Sequence, residues 1–321
     1  MNSSNETLSH TPSKSILIFT IVGLTVFGIL GIISSIITAM VITKNKALHT
    51  PCYTLIAGGG MGSLAVAAHY LSRGLDKIGL QLELYGFERS GMACLLLTGT
   101  LGIWGIAFHS QVSCLIAIDR LISVTTPMKY RSLGKRYSMG LLIGCAVFCA
   151  VQEFTGFVTA SLHVDLLCTE FMDVLHPVFI RTYAQINLFY CVLNVLAYGG
   201  MIICFRFRHL FSEATTIQDT FAKQQLAVMP TVKLMVALYL VTGVLAEILV
   251  NVGLNLPLDD PAFILLSVGT ILKNASSVVE GTALFARNKK FRECFRAMIG
   301  WKKNIVTVGT GTATGTNTNR R

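Results

Sequence analysis

The sequence predicts an all-α membrane protein, a seven-transmembrane helix bundle with a short amphipathic eighth helix. Its 321 residues are 53% hydrophobic and only 13% charged, with a mean hydropathy of +0.63. Soluble domains of this length do not show that balance. Seven apolar stretches can each cross a hydrocarbon core of about 30 Å, which takes about 20 helical residues. Because backbone groups in lipid must be satisfied within the segment, such stretches form helices.

The predicted spans divide the chain into four regions. We place the spans at residues 16–42, 52–71, 91–124, 138–162, 178–205, 228–254 and 262–285. The first span is long and has neither a basic start nor a cleavage-like end, so we expect it to be retained rather than removed as a signal peptide. The regions are an extracellular N-terminus at 1–15, the bundle at 16–286, the amphipathic helix at 287–300 and a disordered tail, rich in Thr, Gly and Asn, at 301–321.

Lysine and arginine predict the orientation. With the N-terminus outside, the inner segments hold 20 of the 26 basic residues. The positive-inside rule therefore favours this arrangement, and we expect a multi-pass protein of the plasma membrane. The net charge of +10 belongs to this topology. Nucleic-acid binding would need the basic residues clustered on one soluble face, and it is not expected.

The stretch AIDRLISVTTPMKY, residues 117–130, ends the third span with an adjacent acid and arginine. It resembles the third-helix signature of rhodopsin-like G-protein-coupled receptors, D-R-Y followed by V, P, L and Y, with Leu121 in place of the tyrosine. The matching positions are Asp119, Arg120, Val124, Pro127, Met128 and Tyr130. The resemblance implies that this segment couples to a heterotrimeric G protein, through Asp119, Arg120, Leu121, Pro127 and Tyr130. We expect Arg120 to be the coupling residue and Asp119 to restrain it by a charge pair.

Several positions depart from that family. Ser63 stands where the family normally has a sodium-binding aspartate, and Gly102 where amine receptors keep one, so neither a sodium site nor a biogenic amine is expected. Spans 5 to 7 lack their mid-helix prolines. With these departures and its loop lengths, the sequence is most similar to the nematode chemosensory serpentine receptors, class sx or a related group. That resemblance implies a receptor for an external small molecule or peptide.

Cysteines and sequons suggest covalent modifications. Of nine cysteines, only Cys94 and Cys168 fall on the outer side, where disulfides persist. We predict a bridge between them, which is similar to the disulfide of the rhodopsin-like family. Asn2 and Asn5 begin sequons and are candidates for glycosylation, although sequons also arise by chance. Cys294, in the amphipathic segment, is either a palmitoylation site or an ordinary apolar-face cysteine.

Two ionisable residues lie within the last spans, where such side chains are usually paired, functional or facing water. They are Glu247 in span 6 and Lys273 in span 7. We predict an ion pair between them, lining a ligand pocket to which Tyr183 and Asn187 also contribute. The alternative is that each charge meets a separate polar partner. A retinal-binding lysine is disfavoured, because Lys273 is one residue, or about 100° of helix, out of the opsin register.

Other classes of protein fit less well. A transporter or channel for a small solute is the alternative function, but it would predict inverted repeats with paired helix interruptions, and the halves of this sequence are not similar. An enzyme or a metal cofactor would need clustered ligands, whereas the seven histidines are scattered. We expect no cofactor, and we expect His109, in span 3, to be a hydrogen-bonded packing residue. The membrane partner is lipid.

Overall fold

The computed structural model describes residues 13–82, 88–90, 96, 99–160, 165–167, 175–211, 234, 236–257 and 259–300. Within them, seven helices are long and apolar enough to cross a membrane, as predicted. They are α1 Lys14–Lys44, α2 Pro51–Gln81, α3 Thr100–Thr125, α4 Lys135–Thr159, α5 Pro177–Phe211, α6 Val236–Asn255 and α7 Asp260–Arg287. The predicted eighth helix follows as α8, Lys289–Met298.

Short elements join the long helices. A 3-10 turn, Lys46–Leu48, links α1 to α2, and a short helix, Pro127–Ser132, follows α3. Strand β1, Glu88–Ser90, pairs antiparallel with β2, Asp165–Leu167. These two three-residue strands lie in loops, so they leave the all-α class unchanged. We call the end of the bundle where α3 finishes and α8 begins the Arg120 end.

Helix α3 is the central helix of the bundle. It packs against α2, α4 and α5, while α7 packs against α1, α2 and α6. The most apolar window of α3 is 72% buried, compared with 22–44% for the other six helices. The other helices instead expose large apolar side chains such as Phe154 and Leu196. Apolar surface of this extent fits a bundle whose outer solvent is lipid.

Helix boundaries differ from the predicted spans in two instructive places. Helix α2 continues to Gln81, ten residues past the predicted end of its span, although Arg73, Asp76 and Lys77 follow that end. Arg73 is buried, so its charge is accommodated by the bundle instead of ending the helix. Helix α5 likewise extends beyond its predicted end at residue 205, to Phe211. Charge marks where the apolar window ends, and a helix can continue past that window.

The glycines of α2 serve two purposes. A Cβ on Gly62 would lie 3.0 Å from the backbone of His109, and one on Gly58 would lie 2.4 Å from Leu142 Cδ2. At both positions glycine allows a close approach to another helix, as its abundance in a membrane helix suggests. Gly59 and Gly60 have more room and line a cavity instead.

Helix α1 also needs a glycine where it crosses α2. A Cβ on Gly28 would lie 2.9 Å from Leu71 Cβ and 3.0 Å from its Cα and backbone nitrogen. Because backbone atoms cannot move aside cheaply, Gly28→Ala is expected to destabilise the bundle by about 1–3 kcal/mol. Gly140→Ala, on α4, is the matched control, since nothing lies within 4 Å of its built Cβ. Melting temperatures of the purified variants test this, and equal values for the two would contradict it.

Helix α6 is irregular although it has no proline. Its segment Leu240–Leu245 is π-helical, and Thr242 Oγ1 donates a hydrogen bond to the Leu238 carbonyl at 3.0 Å. A π segment loosens the regular helical ladder, and such segments are frequent at functional sites. This helix, which lacks the expected mid-helix proline, therefore has another local irregularity, which ends two residues before Glu247.

Candidate functional site

The structure confirms the ion pair predicted between α6 and α7. Lys273 Nζ donates to Glu247 Oε1. The side chains are only 14% and 3% exposed, so the pair is largely removed from solvent. Glu247 is the second residue of the regular helical segment that follows the π segment of α6, and Lys273 lies in the middle of α7. The ion pair therefore connects α6 to α7.

Two further candidates for the ligand pocket lie on α5. Tyr183 and Asn187 are both buried. The Tyr183 hydroxyl donates to the Ile103 carbonyl on α3 at 2.8 Å, so it already serves the packing of α3 on α5. Asn187 Nδ2 donates to the Tyr183 carbonyl at 3.0 Å, while its Oδ1 has no partner in the described part of the chain. A role for these residues in ligand binding stays a prediction.

A polar cluster joins α2, α3 and α7 in the middle of the bundle. His109 Nδ1 lies 3.1 Å from Ser63 Oγ, and His109 Nε2 lies 3.6 Å from Glu280 Oε1. Ser113 Oγ donates to Glu280 Oε1 at 3.4 Å, and Ser276 Oγ lies 3.4 Å from His109 Nε2. The prediction that His109 is a hydrogen-bonded packing residue is confirmed. Among the described residues, no group of three or more His, Cys, Asp or Glu could hold a metal ion.

Sequence reasoning missed Glu280. It brings a carboxylate to the cluster at Ser63, where the expected aspartate is lacking. A lone carboxylate inside an apolar span was the signal that could have found it, by the same argument that selected Glu247.

A cavity of about 430 Å³ extends from this cluster toward the Arg120 end. Its inner wall includes Ser63, Ser113 and Glu280, and basic residues surround its outer part. The basic residues are Arg120, Arg287, Lys289 and Lys290. Asn194, on α5, also lines the cavity; it is buried, and neither polar atom of its side chain has a partner within the described residues. The cavity therefore presents positive charge at its mouth and unsatisfied polar groups deeper in.

The signature residues at the end of α3 make contacts that differ from the expected ones. Asp119 is fully buried, and its Oδ2 accepts a hydrogen bond from the Tyr130 hydroxyl at 2.8 Å. Across the described residues, no ion pair connects Asp119 to Arg120. In this conformation the partner of Asp119 is Tyr130, and Arg120 is left to line the cavity. Leu121 packs with the apolar cluster between α3 and α5, and Pro127 begins the short helix that carries Tyr130.

Tyr130 is expected to stabilise this end of α3. Burial, together with the neighbouring Asp119 carboxylate, raises the pKa of Tyr130 above its ordinary value, so the hydroxyl remains a donor at neutral pH. Asp119 Oδ1 has no partner among the described residues, and Tyr130→Phe would leave Oδ2 without its hydroxyl as well. We expect a loss of about 1–3 kcal/mol in the free energy of unfolding.

The matched control is Tyr137→Phe, since the Tyr137 hydroxyl makes no hydrogen bond to the described part of the chain. Urea or thermal unfolding of the purified variants measures the difference. Equal stabilities for Tyr130→Phe and the unmodified protein would show that the hydrogen bond contributes nothing.

Helix α8 forms as predicted, and it lies against the bundle by its apolar face. The Asn288 side chain caps it, accepting from the Phe291 backbone nitrogen at 3.0 Å and donating to the Tyr53 hydroxyl on α2 at 2.7 Å. Phe291 and Cys294 are buried in a cluster with residues of α1 and α7. Burial raises the pKa of the Cys294 thiol. Palmitoylation of Cys294 stays a prediction, and it would require the thiol to leave this cluster.

Four residues with predicted modifications, Cys94, Cys168, Asn2 and Asn5, lie outside the described residues. The other seven cysteines are free thiols. Five of them are buried and the remaining two half-buried.

The seven-helix membrane bundle, the capped eighth helix and the cavity at the Arg120 end are those of a seven-transmembrane receptor. Residues 28–299 match the family of serpentine type 7TM GPCR chemoreceptors, Srsx. The chain belongs to this family and is a seven-transmembrane chemosensory receptor, as the resemblance implied. A comparison with curated proteins found no match.

Proposed function

We propose that the chain is a plasma-membrane chemoreceptor, with its N-terminus outside, that binds a small external molecule and signals through a heterotrimeric G protein. The observation that carries this proposal is the cavity at the Arg120 end, which is lined by basic residues from the end of α7 and the start of α8. With the proposed orientation this end faces the cytoplasm. Family membership supports the same function.

The charges of the cavity favour a particular kind of G-protein segment. Arg120, Arg287, Lys289 and Lys290 contribute up to four positive charges near the mouth, so an inserted segment that bears carboxylates is attracted. Apolar wall residues such as Ile116, Leu238 and Leu284 can pack against its other side chains. An amphipathic helix with a carboxylate at its tip satisfies both requirements.

The ligand is proposed to act near the opposite end. Glu247 and Lys273 carry opposite charges in a nearly dry site, so a ligand with a charged group can compete for one of them and loosen α6 from α7. Gly102 supplies no anion for an amine. A Cβ there would lie 2.7 Å from His69 Cε1, so the His69 ring occupies the space that a larger side chain would need. Small acids and zwitterions are therefore better candidates than simple amines.

The proposed modifications complete this arrangement. A Cys94–Cys168 bridge would tie the second outer loop to the segment before α3, and glycans at Asn2 or Asn5 would lie on the outer face. Mass spectrometry of the non-reduced receptor tests the bridge, and two free thiols at these positions would refute it.

The proposed function is tested by expressing the chain in cells and applying a panel of small acids, zwitterions and amines. We expect at least one compound to produce a second-messenger response that disappears when the cell's G proteins are removed or inactivated. A ligand-dependent current or solute flux that persists without G proteins would support the transporter or channel alternative and overturn the proposal.

A further inference from the structure

His109 and Glu280 meet where α2, α3 and α7 come together, in the polar cluster that the proposed function does not use. We propose that these two residues form a proton-binding site. The bound proton makes His109 an imidazolium cation, which pairs with the Glu280 carboxylate 3.6 Å away. The hydrogen bonds of the surrounding serines carry the argument.

Ser276 determines the state of one ring nitrogen. Its hydroxyl has one proton, which it donates to the Lys273 carbonyl at 2.6 Å. Toward His109 Nε2, 3.4 Å away, Ser276 Oγ can therefore only accept. Nε2 must carry a hydrogen, and this hydrogen also faces Glu280 Oε1.

Ser63 determines the other nitrogen. Its oxygen lies 3.1 Å from His109 Nδ1 and 3.5 Å from Glu280 Oε2. Ser63 has one proton and an ionised carboxylate can only accept, so in the proposed state the Ser63 proton is directed to Glu280, and Ser63 Oγ accepts from Nδ1. Both ring nitrogens then donate, which gives the imidazole a positive charge. In this arrangement the Glu280 carboxylate accepts hydrogen bonds from the hydroxyls of Ser63 and Ser113, and the imidazolium lies beside it.

The site has a route for its proton. Glu280 is 33% exposed and lines the cavity that opens toward the Arg120 end, whereas His109 itself is buried. A proton therefore reaches the pair through the cavity and past Glu280. Burying a charged histidine among neutral groups alone would cost free energy, and the adjacent carboxylate offsets that cost.

Other ionisable groups on the packed helices are too far away or already paired to replace Glu280. Lys273 is about 10 Å from Glu280 along α7 and is paired with Glu247 on α6. Arg120 is about 16 Å from His109 along α3. His69 lies on α2, nearly two turns beyond Ser63, and Tyr239 lies on α6 and lines the cavity.

The proton changes how α7 is held. With it, a charge pair and the Ser63 bridge connect α7 to α3 and α2. Without it, Nδ1 becomes an acceptor, the Ser63 proton turns from Glu280 to the ring, and the ionic contact ends. This site would therefore couple the position of α7 to the proton concentration on the side of the membrane to which the cavity opens.

The test is ¹⁵N NMR of histidine-labelled receptor purified in lipid nanodiscs at neutral pH. We expect two protonated ring nitrogens for His109 in the unmodified receptor, and one unprotonated nitrogen in Glu280→Gln. The His109→Gln variant assigns the signal. Should it fail to fold, single substitutions of the other six histidines assign it by elimination.

The unmodified receptor alone can refute the proposal, since an unprotonated His109 nitrogen at neutral pH would show that no proton is held there. A doubly protonated ring that persists in Glu280→Gln would also overturn it, because the carboxylate would then not be the partner. Neither outcome bears on ligand binding or G-protein signalling, so the proposed function is tested separately.

Discussion

Glu247→Gln and Lys273→Met are each expected to cripple the receptor, because either change leaves the opposite charge without a partner between α6 and α7. Removing one member of a buried ion pair typically costs about 3–5 kcal/mol, and both side chains here are largely removed from solvent. That cost is comparable with much of the stability of an ordinary protein. We expect a much lower melting temperature for the purified variants and little receptor at the cell surface.

A charge swap separates the pair from its individual residues. Glu247→Lys combined with Lys273→Glu restores opposite charges, so it is expected to recover much of the lost stability. A swap no better than either single charge reversal would refute the importance of the pairing. Glu293→Gln, at an exposed position of α8, is the control and should change the free energy of unfolding by less than about 0.5 kcal/mol.

Arg120→Ala is expected to abolish G-protein coupling while leaving the receptor folded. Arg120 lines the cavity and makes no ion pair with Asp119 in the described part of the chain, so its removal strands no buried partner. Coupling should fall because the cavity loses the positive charge that α3 contributes to its wall. The measurement is ligand-stimulated or basal nucleotide exchange on the G protein, normalised to surface receptor.

Lys129→Ala is the matched control for Arg120→Ala. Lys129 is a basic residue at the same end of the bundle, but it is exposed and lies outside the cavity wall. It should retain most of the coupling. Full coupling by Arg120→Ala at normal surface levels would show that the arginine is only a topological charge, and it would leave the seven-helix fold unaffected.

Family assignment and helix packing have different origins in this protein. The number of spans and the amphipathic α8 follow from apolar length and periodicity, which are local properties of the chain. The Glu247–Lys273 pair could also be predicted, since a charge in lipid needs a partner and few partners exist in the spans. The partner of Asp119 could not, because Tyr130 is placed by the turn and short helix that follow α3.

The sequence by itself determined the membrane class, the seven spans, the family resemblance and the need for buried charges to be paired. Only the tertiary structure decided that Glu280 meets His109, that Asp119 binds Tyr130, and that α6 is interrupted by a π segment instead of a proline. The reason is geometric. One residue turns a helix by about 100°, so a small rotation of a helix changes which side chains face its neighbour. These rotations and the crossing angles of the helices are not encoded in any local pattern, and they decide which side chains come into contact.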